Sequence, residues 1–260
     1  MKRFGLIGRR LGHSFSQEYF MRKFAELGLK DYSYELFELP SVEGLKAWAL
    51  REGLSGVNIT VPYKQEVIPQ LDVLDEVATA VGAVNCVTVE NGRLVGHNTD
   101  APAFRDTLED LLNTNHITLN TAFILGTGGA ARAVAYALGQ VGIGFTFVSR
   151  HPGQHDNAIS YDCFCGGRML AALGKGVLIV NATPVGMYPN VDQTPLDLSS
   201  LQMDAGRMPA VHCYDLVYNP SPTRLLREAA SLGFEVKDGL EMLHRQADLS
   251  WEFFNLASPE

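Results

Sequence analysis

The stretch Ala122-Phe-Ile-Leu-Gly-Thr-Gly-Gly-Ala-Ala-Arg132 constrains this chain more than any other. Its short apolar run, Ala122 to Leu125, reads as a buried strand that stops at Gly126. Gly126-Thr127-Gly128-Gly129-Ala130 then runs into a helical pattern with Val134, Ala135, Leu138 and Val141 on one side. Strand, glycine turn and helix start together make a phosphate site. The glycines let the backbone approach a pyrophosphate, and the first N–H groups and positive dipole end of the helix face the anion. A βα turn without ligand is the alternative, and the strand before and helix after the glycines weigh against it.

The chain has 260 residues, 46% hydrophobic and 19% charged, enough for one large domain or two modest ones with a globular core. A net charge of −8 argues against nucleic acid as a partner. No apolar run approaches a membrane span, and the run from Phe4 to Gly8 is too short for a signal-peptide core. A cytoplasmic protein is expected, without membrane or nucleic-acid partners, as monomer or homodimer. Cys86, Cys163, Cys165 and Cys213 form no disulfide framework. Cys163 and Cys165 follow His151 and His155, but the spacing fits no common zinc knuckle, so no metal is expected.

Strands are expected over 3–8, 32–37, 56–60, 83–89, 93–96, 122–126, 144–149, 177–180, 211–216 and 234–236. Helices are expected to start at Ser16 and Ser41 as caps, after Pro62, over 72–80, from Asn98-Thr99-Asp100 to about Leu112, over 129–141 and 170–173, from Ser221-Pro222, and over 240–255. Asn91-Gly92 predicts a hairpin. The polar stretch 150–165 reads as loop. Strands alternating with helices at this spacing call for an α/β fold with a doubly wound parallel sheet.

Four polar clusters fall where strands end, which is where open α/β sheets bind ligands. His13-Ser14-Phe15-Ser16 offers two hydroxyls to a carboxylate, or a helix cap. Asn58-Ile59-Thr60-Val61-Pro62-Tyr63-Lys64 puts Asn58 and Thr60 on one strand face and a lysine just past the proline turn. Gly96-His97-Asn98-Thr99-Asp100 supplies either a helix-capping Asp or the carboxylate of an acid/base pair with Lys64. Gln246 lies two turns into an apolar helix after Asp238-Gly239, as a core hydrogen bond or a substrate contact.

These motifs, with Ala83-Val-Asn85, Asn181-Ala-Thr-Pro-Val-Gly-Met187 and Tyr214-Asp-Leu-Val-Tyr218, resemble in content and order the shikimate/quinate dehydrogenase family, from Leu6 to Gln246. The resemblance implies an N-terminal α/β substrate domain, 1–100 with 237–260, and a Rossmann-like doubly wound NADP-binding domain, 101–236, with the active site in the cleft between them. It implies that Ser14 and Ser16 hold a substrate carboxylate. Thr60, Asn85, Asp100 and Gln246 would bind ring hydroxyls, Asn58 and Tyr218 would line the pocket, and Lys64 and Asp100 would be the catalytic pair. Glu76, Gly126, Thr127, Gly128, Gly129, Ala130, Ser149, Arg150, Thr183, Leu216 and Gly239 would lie along the cofactor.

The implied reaction is reversible NADPH-dependent reduction of 3-dehydroshikimate to shikimate, a step toward chorismate and the aromatic amino acids. Where β-strand 144–149 ends, Ser149-Arg150-His151 carries no acid to bind a ribose 2′-hydroxyl, which favours NADP. Gln154 stands where many family members have a further basic residue, and Ala101 replaces the usual glycine. Two rivals are the same fold acting on quinate with NAD, and a non-catalytic dinucleotide- or metabolite-sensing module. The second predicts loss of Lys64 or Asp100, and both are present.

Overall fold

The computed structural model describes residues 1–12, 14–166, 176–201 and 210–256, so His13 and the helix expected over 170–173 lie outside the described residues. The chain divides into two compact units, Met1–Asp100 with Arg245–Glu260, and Ala101–His244. Among the described residues no helix is long and apolar enough to cross a membrane.

In the first unit, strands β1 (Lys2–Gly8), β2 (Tyr32–Glu38), β3 (Leu54–Ile59), β4 (Val73–Leu74), β5 (Cys86–Glu90) and β6 (Arg93–His97) form one sheet in the order β2-β1-β3-β5-β6-β4. The β1, β2 and β3 pairings are parallel, but β5 runs antiparallel to both β3 and β6. The sheet is therefore mixed rather than fully parallel. The cause is the predicted hairpin, whose turn residues Asn91 and Gly92 both take positive φ, 52° and 77°.

Helices cover both faces of this sheet. Against one face, α1 (Phe15–Glu26) and the C-terminal α9 (Leu240–Leu256) close an aromatic core of Phe4, Phe20, Phe24, Tyr34 and Phe254. Gly56 is required there, since a Cβ would lie 2.7 Å from the Phe254 ring. This contact fixes the end of the chain to the sheet begun by its first residues. Against the other face, α2 (Leu45–Arg51), α3 (Tyr63–Glu66) and α4 (Glu76–Val81) bury Leu45, Ala49, Tyr63 and Ala78 on Ile7, Val57, Ile59 and Val87.

Several expected boundaries move. Ser14, not Ser16, caps α1, and Gly44, not Ser41, precedes α2. Asp75 caps α4 by accepting from Ala78 N–H, leaving Val73–Leu74 as a short strand instead of the helix start expected at residue 72. Thr223, not Ser221, caps α8 (Arg224–Ser231) by accepting from Leu226 N–H. At α1, α4 and α8 the hydroxyl or carboxylate that reaches an unpaired N–H at the first turn wins over one a few residues earlier or later, while α2 starts after the left-handed Gly44 with no side-chain cap.

The second unit holds β7 (Thr121–Leu125), β8 (Gly144–Ser149), β9 (Ala158–Ser160), β10 (Val177–Asn181), β11 (Val211–Asp215) and β12 (Glu235–Lys237), ordered β12-β11-β10-β7-β8-β9 with every pairing parallel. Numbered within the unit this is 3-2-1-4-5-6 read from the other edge, the doubly wound dinucleotide order. Helices α5 (Asp100–Asn115) and α6 (Gly129–Gln140) belong to it from residue 101 onward. The stretch 150–165, expected to be loop, carries β9 and the short helix α7 (Tyr161–Gly166). Its polar surface hides the few apolar residues that matter. Ile159, Tyr161, Phe164 and Cys165 reach the core under Phe123 and Val177, while Cys163, two residues from Cys165, is exposed.

Candidate active site

In the first unit the polar clusters converge. Pro62 turns the chain out of β3, and α3 follows at once, with Lys64 in its single turn. Asp100 is the first residue of α5. Lys64 Nζ donates to Asp100 Oδ2 at 2.5 Å, so two residues 36 positions apart form a largely buried ion pair. The other carboxylate oxygen accepts from Asn85 Nδ2 at 2.9 Å. Asn85 also donates to Thr99 Oγ1, accepts from Thr99 N–H at 2.7 Å, and lies 3.5 Å from Gln246 Oε1.

The backbone under this cluster is tied in the same way. Val84 N–H donates to the Lys64 carbonyl at 2.7 Å, Asn85 N–H to the His97 carbonyl, and Asn98 Nδ2 to the Ala83 carbonyl. The loop 82–85 therefore holds both the lysine and the strand leading to Asp100. His97 is braced in turn by Asp75 and Thr88, and its ring stacks on Phe253 at 3.9 Å.

Asn58 is buried and fully engaged. Its Oδ1 accepts from Tyr34 Oη at 2.8 Å, and its Nδ2 donates to the Asn85 carbonyl and to Ser250 Oγ. Burial raises the Tyr34 hydroxyl well above the usual range, which keeps it a donor here. Ser14 and Ser16 are half-buried at the start of α1, with Ser14 Oγ accepting from Ser16 N–H. Tyr19 and Lys23, further along α1, both bond Asp248 on α9, Lys23 at 2.5 Å. The helix that carries the two serines is thus pinned to the helix that carries Gln246. Glu76 is exposed on the first turn of α4.

The second unit carries the other group of predicted residues at the carboxyl ends of its strands. Chain order reverses between β7 and β10, so the turns after these strands flank the switch point. Gly126 takes φ 100°, and a Cβ there would lie 2.9 Å from Thr183 Cγ2. The turn after β7 and the loop after β10 meet as closely as a glycine permits. Gly128 is the N-cap of α6, no side chain caps the helix, and the space beside Gly128 is open. Backbone N–H groups at a helix start facing open space fit a dinucleotide pyrophosphate.

Ser149 ends β8 with its Oγ accepting from His151 N–H, and Arg150 and His151 are exposed. No carboxylate stands among Ser149, Arg150 and His151 to repel a 2′-phosphate, so these residues fit NADP. Gly239 is buried, and a Cβ there would lie 2.1 Å from the Leu216 carbonyl oxygen. Only glycine lets these two loops touch. Tyr218 is half-buried in the loop after β11.

Sequence reasoning passed over two groups of residues. Ser250 lies one helical turn past Gln246; it donates to the Gln246 carbonyl, accepts from Asn58 and sits 3.2 Å from Thr99 Oγ1. The i, i+4 spacing from Gln246 is the signal that could have found it. In the second unit, Asn181, Asp215 and Thr223 form a buried network; Asn181 and Asp215 lie in two of the motifs quoted above but were given no role, and Thr223 lies in none, because the three come from separate segments.

A family profile described as the shikimate dehydrogenase substrate binding domain matches residues 6–87. The shikimate dehydrogenase (NADP(+)) of Symbiobacterium thermophilum is 37% identical over 267 residues, covering 96% of this chain and 87% of that protein. The structure of the Thermus thermophilus shikimate 5-dehydrogenase in complex with NADP(H) and shikimate superposes with TM-score 0.79 at 33% identity, covering 100% of this chain and 95% of that one. The quinate dehydrogenase of Corynebacterium glutamicum in complex with NAD gives TM-score 0.80 at 30% identity, with the same coverages. With a sequence match along nearly its whole length, a substrate-type α/β unit and a doubly wound dinucleotide unit, this chain belongs to the shikimate dehydrogenase family.

Proposed function

We propose that this protein catalyses the reversible NADPH-dependent reduction of 3-dehydroshikimate to shikimate, with Lys64 and Asp100 as its catalytic pair. The observation that carries the assignment of roles is the Lys64–Asp100 contact at 2.5 Å, held from below by Asn85. NADPH, when bound, supplies the hydride that converts the ketone carbon to an alcohol carbon. Lys64 places an ammonium against the oxygen on which negative charge develops and gives that oxygen its proton. Asp100 accepts hydrogen bonds from the lysine, whose direction it fixes, and from Asn85, and takes a third from a ring hydroxyl of the substrate.

The remaining roles follow from chemistry and place. Ser14 and Ser16, half-buried at the start of α1, donate to the substrate carboxylate, and Thr60, Asn85 and Gln246 bind ring hydroxyls. Asn58, whose amide is already bonded to Tyr34, Ser250 and the Asn85 carbonyl, serves as the floor that holds Asn85. In the other unit Gly126 to Ala130 receive the pyrophosphate, Ser149 and Arg150 the adenosine phosphate, and Thr183, Leu216 and Gly239 the nicotinamide half; Glu76 is assigned to the nicotinamide side. Arg150 gives planar, bidentate recognition of a phosphate, which favours NADP over NAD.

Mixing the protein with shikimate or quinate and either NADP+ or NAD+, and following nicotinamide absorbance, tests the reading. Turnover is expected to be fastest with shikimate and NADP+. Turnover with quinate and NAD+ alone would move the specificity. No turnover with any pair, from folded protein that binds cofactor, would overturn the enzyme reading.

A further inference from the structure

Asp215 ends β11 at the carboxyl edge of the second unit's sheet and is fully buried. Among the described residues it takes part in no ion pair. Instead three neutral donors converge on it: Asn181 Nδ2 at 2.8 Å and Val217 N–H at 3.0 Å on Oδ1, and Thr223 Oγ1 at 2.6 Å on Oδ2. They come from the end of β10, the loop after β11 and the cap of α8.

Asn181, so oriented, accepts through Oδ1 from both the N–H and the hydroxyl of Thr183, at 3.0 and 2.7 Å. Thr183 Oγ1 then accepts from Val185 N–H. On the other side, the Val217 carbonyl accepts from Gly239 N–H, and Leu216 N–H donates to the Asn181 carbonyl. Thr183, Leu216 and Gly239 all trace back to one carboxylate.

We propose that Asp215 is a positioning residue for the cofactor, its carboxylate holding the loops of Thr183, Leu216 and Gly239 in register although it lies beneath them. This rests on the cofactor reading given above for those three residues. The chemistry calls for a carboxylate. Two oxygens must accept three donors, and an amide in the same place would turn its NH2 toward Thr223 Oγ1, which already accepts from Leu226 N–H. Protonation removes acceptor capacity in the same way.

Burial, with help from the negative charge of Asp238, pushes the carboxyl up to about 6. The surrounding groups do not compensate for this. Lys237 of β12 is engaged with Glu241 and the Tyr214 ring, Arg224 of α8 with Glu228, and the buried Cys213 thiol is raised and stays neutral.

The test compares wild type with Asp215→Asn, an isosteric change, and with Thr223→Ser and Thr223→Val. In the protein without cofactor, amide hydrogen exchange at Thr183, Val185 and Val217 is expected to rise about tenfold in Asp215→Asn at pH 7.5, with the central strands unchanged. By calorimetry the NADP+ dissociation constant is expected to rise about tenfold, while the KM for shikimate at saturating cofactor stays within about twofold. Thr223→Ser, which keeps the donor, is expected to behave as wild type, and Thr223→Val to move toward Asp215→Asn.

Unchanged local exchange, or loss of protection spread evenly over the sheet, would overturn the proposal. A wild type that does not bind NADP+ would overturn the cofactor reading and this proposal with it. A wild type that binds, with Asp215→Asn binding equally well, would overturn this proposal alone.

Discussion

Asp100 and Asp215 are both buried aspartates in polar networks at strand-to-helix junctions, one in each unit. Their surroundings differ in one respect. Asp100 faces a cation, Lys64, on one oxygen and an amide on the other. Asp215 faces only an amide, a backbone N–H and a hydroxyl. A carboxylate with a cation beside it can hand charge and protons to a third group without leaving an unpaired charge behind. One surrounded by neutral dipoles can hold segments in place, but its own ionisation works against burial. The same residue type is thus suited to chemistry in the first unit and to architecture in the second.

The largest effect should come from breaking the ion pair. Lys64→Ala and Asp100→Asn should each lower kcat by about 10²- to 10⁴-fold, and the double variant should be little worse than the poorer single, since the two act as one device. Steady-state kinetics at saturating substrate and cofactor check this. Multiplying effects would mean that the two carboxylates differ less than their surroundings suggest.

Next in size is the pH dependence of folding. Asp215 holds its proton more tightly folded, at about 6, than unfolded, near 4. Its favourable contribution is full below about pH 4 and is lost as pH rises through 6, a change on the order of 3 kcal/mol. Denaturant unfolding of wild type and Asp215→Asn from pH 4 to 8 should show that slope only in wild type.

The smallest effect concerns His212, three residues earlier on β11. Its Nδ1 is buried without a hydrogen-bond partner among the described residues, and burial lowers its pKa. The sign is opposite: its contribution is present above the unfolded value and is lost as pH falls. His212→Leu should stabilise the protein by about 1 kcal/mol, the cost of an unsatisfied buried polar atom, and reduce its sensitivity to acid in the same unfolding series. An unchanged acid limb would assign the acid response to other groups.

Local signals were read well where one short stretch carried the whole message. Val61-Pro62 ending a strand before Lys64, Asn91-Gly92 turning a hairpin, and Gly126 to Ala130 joining a strand to a helix all stand as the residues suggest. Reading was poorer where two polar residues competed for one task. Ser14 against Ser16, and Thr223 against Ser221, differ only in which oxygen reaches an N–H, and that depends on where the helix docks. The stretch 150–165 was misread because its few apolar residues are spaced for a core supplied by distant strands.

From the sequence alone came the kind of fold and the residue types its chemistry needs: alternating strands and helices, a glycine turn fit for a phosphate, a lysine, an aspartate and a set of small polar side chains. Those follow from periodicity and local backbone physics. Only tertiary structure put Lys64 against Asp100, 36 residues away, set Ser250 of the last helix beneath Asn58, and gathered Asn181, Val217 and Thr223 around Asp215. The physical reason is that a hydrogen bond between distant segments leaves no period in the chain. It is fixed by strand order and by the packing that brings the chain's end back onto its first sheet.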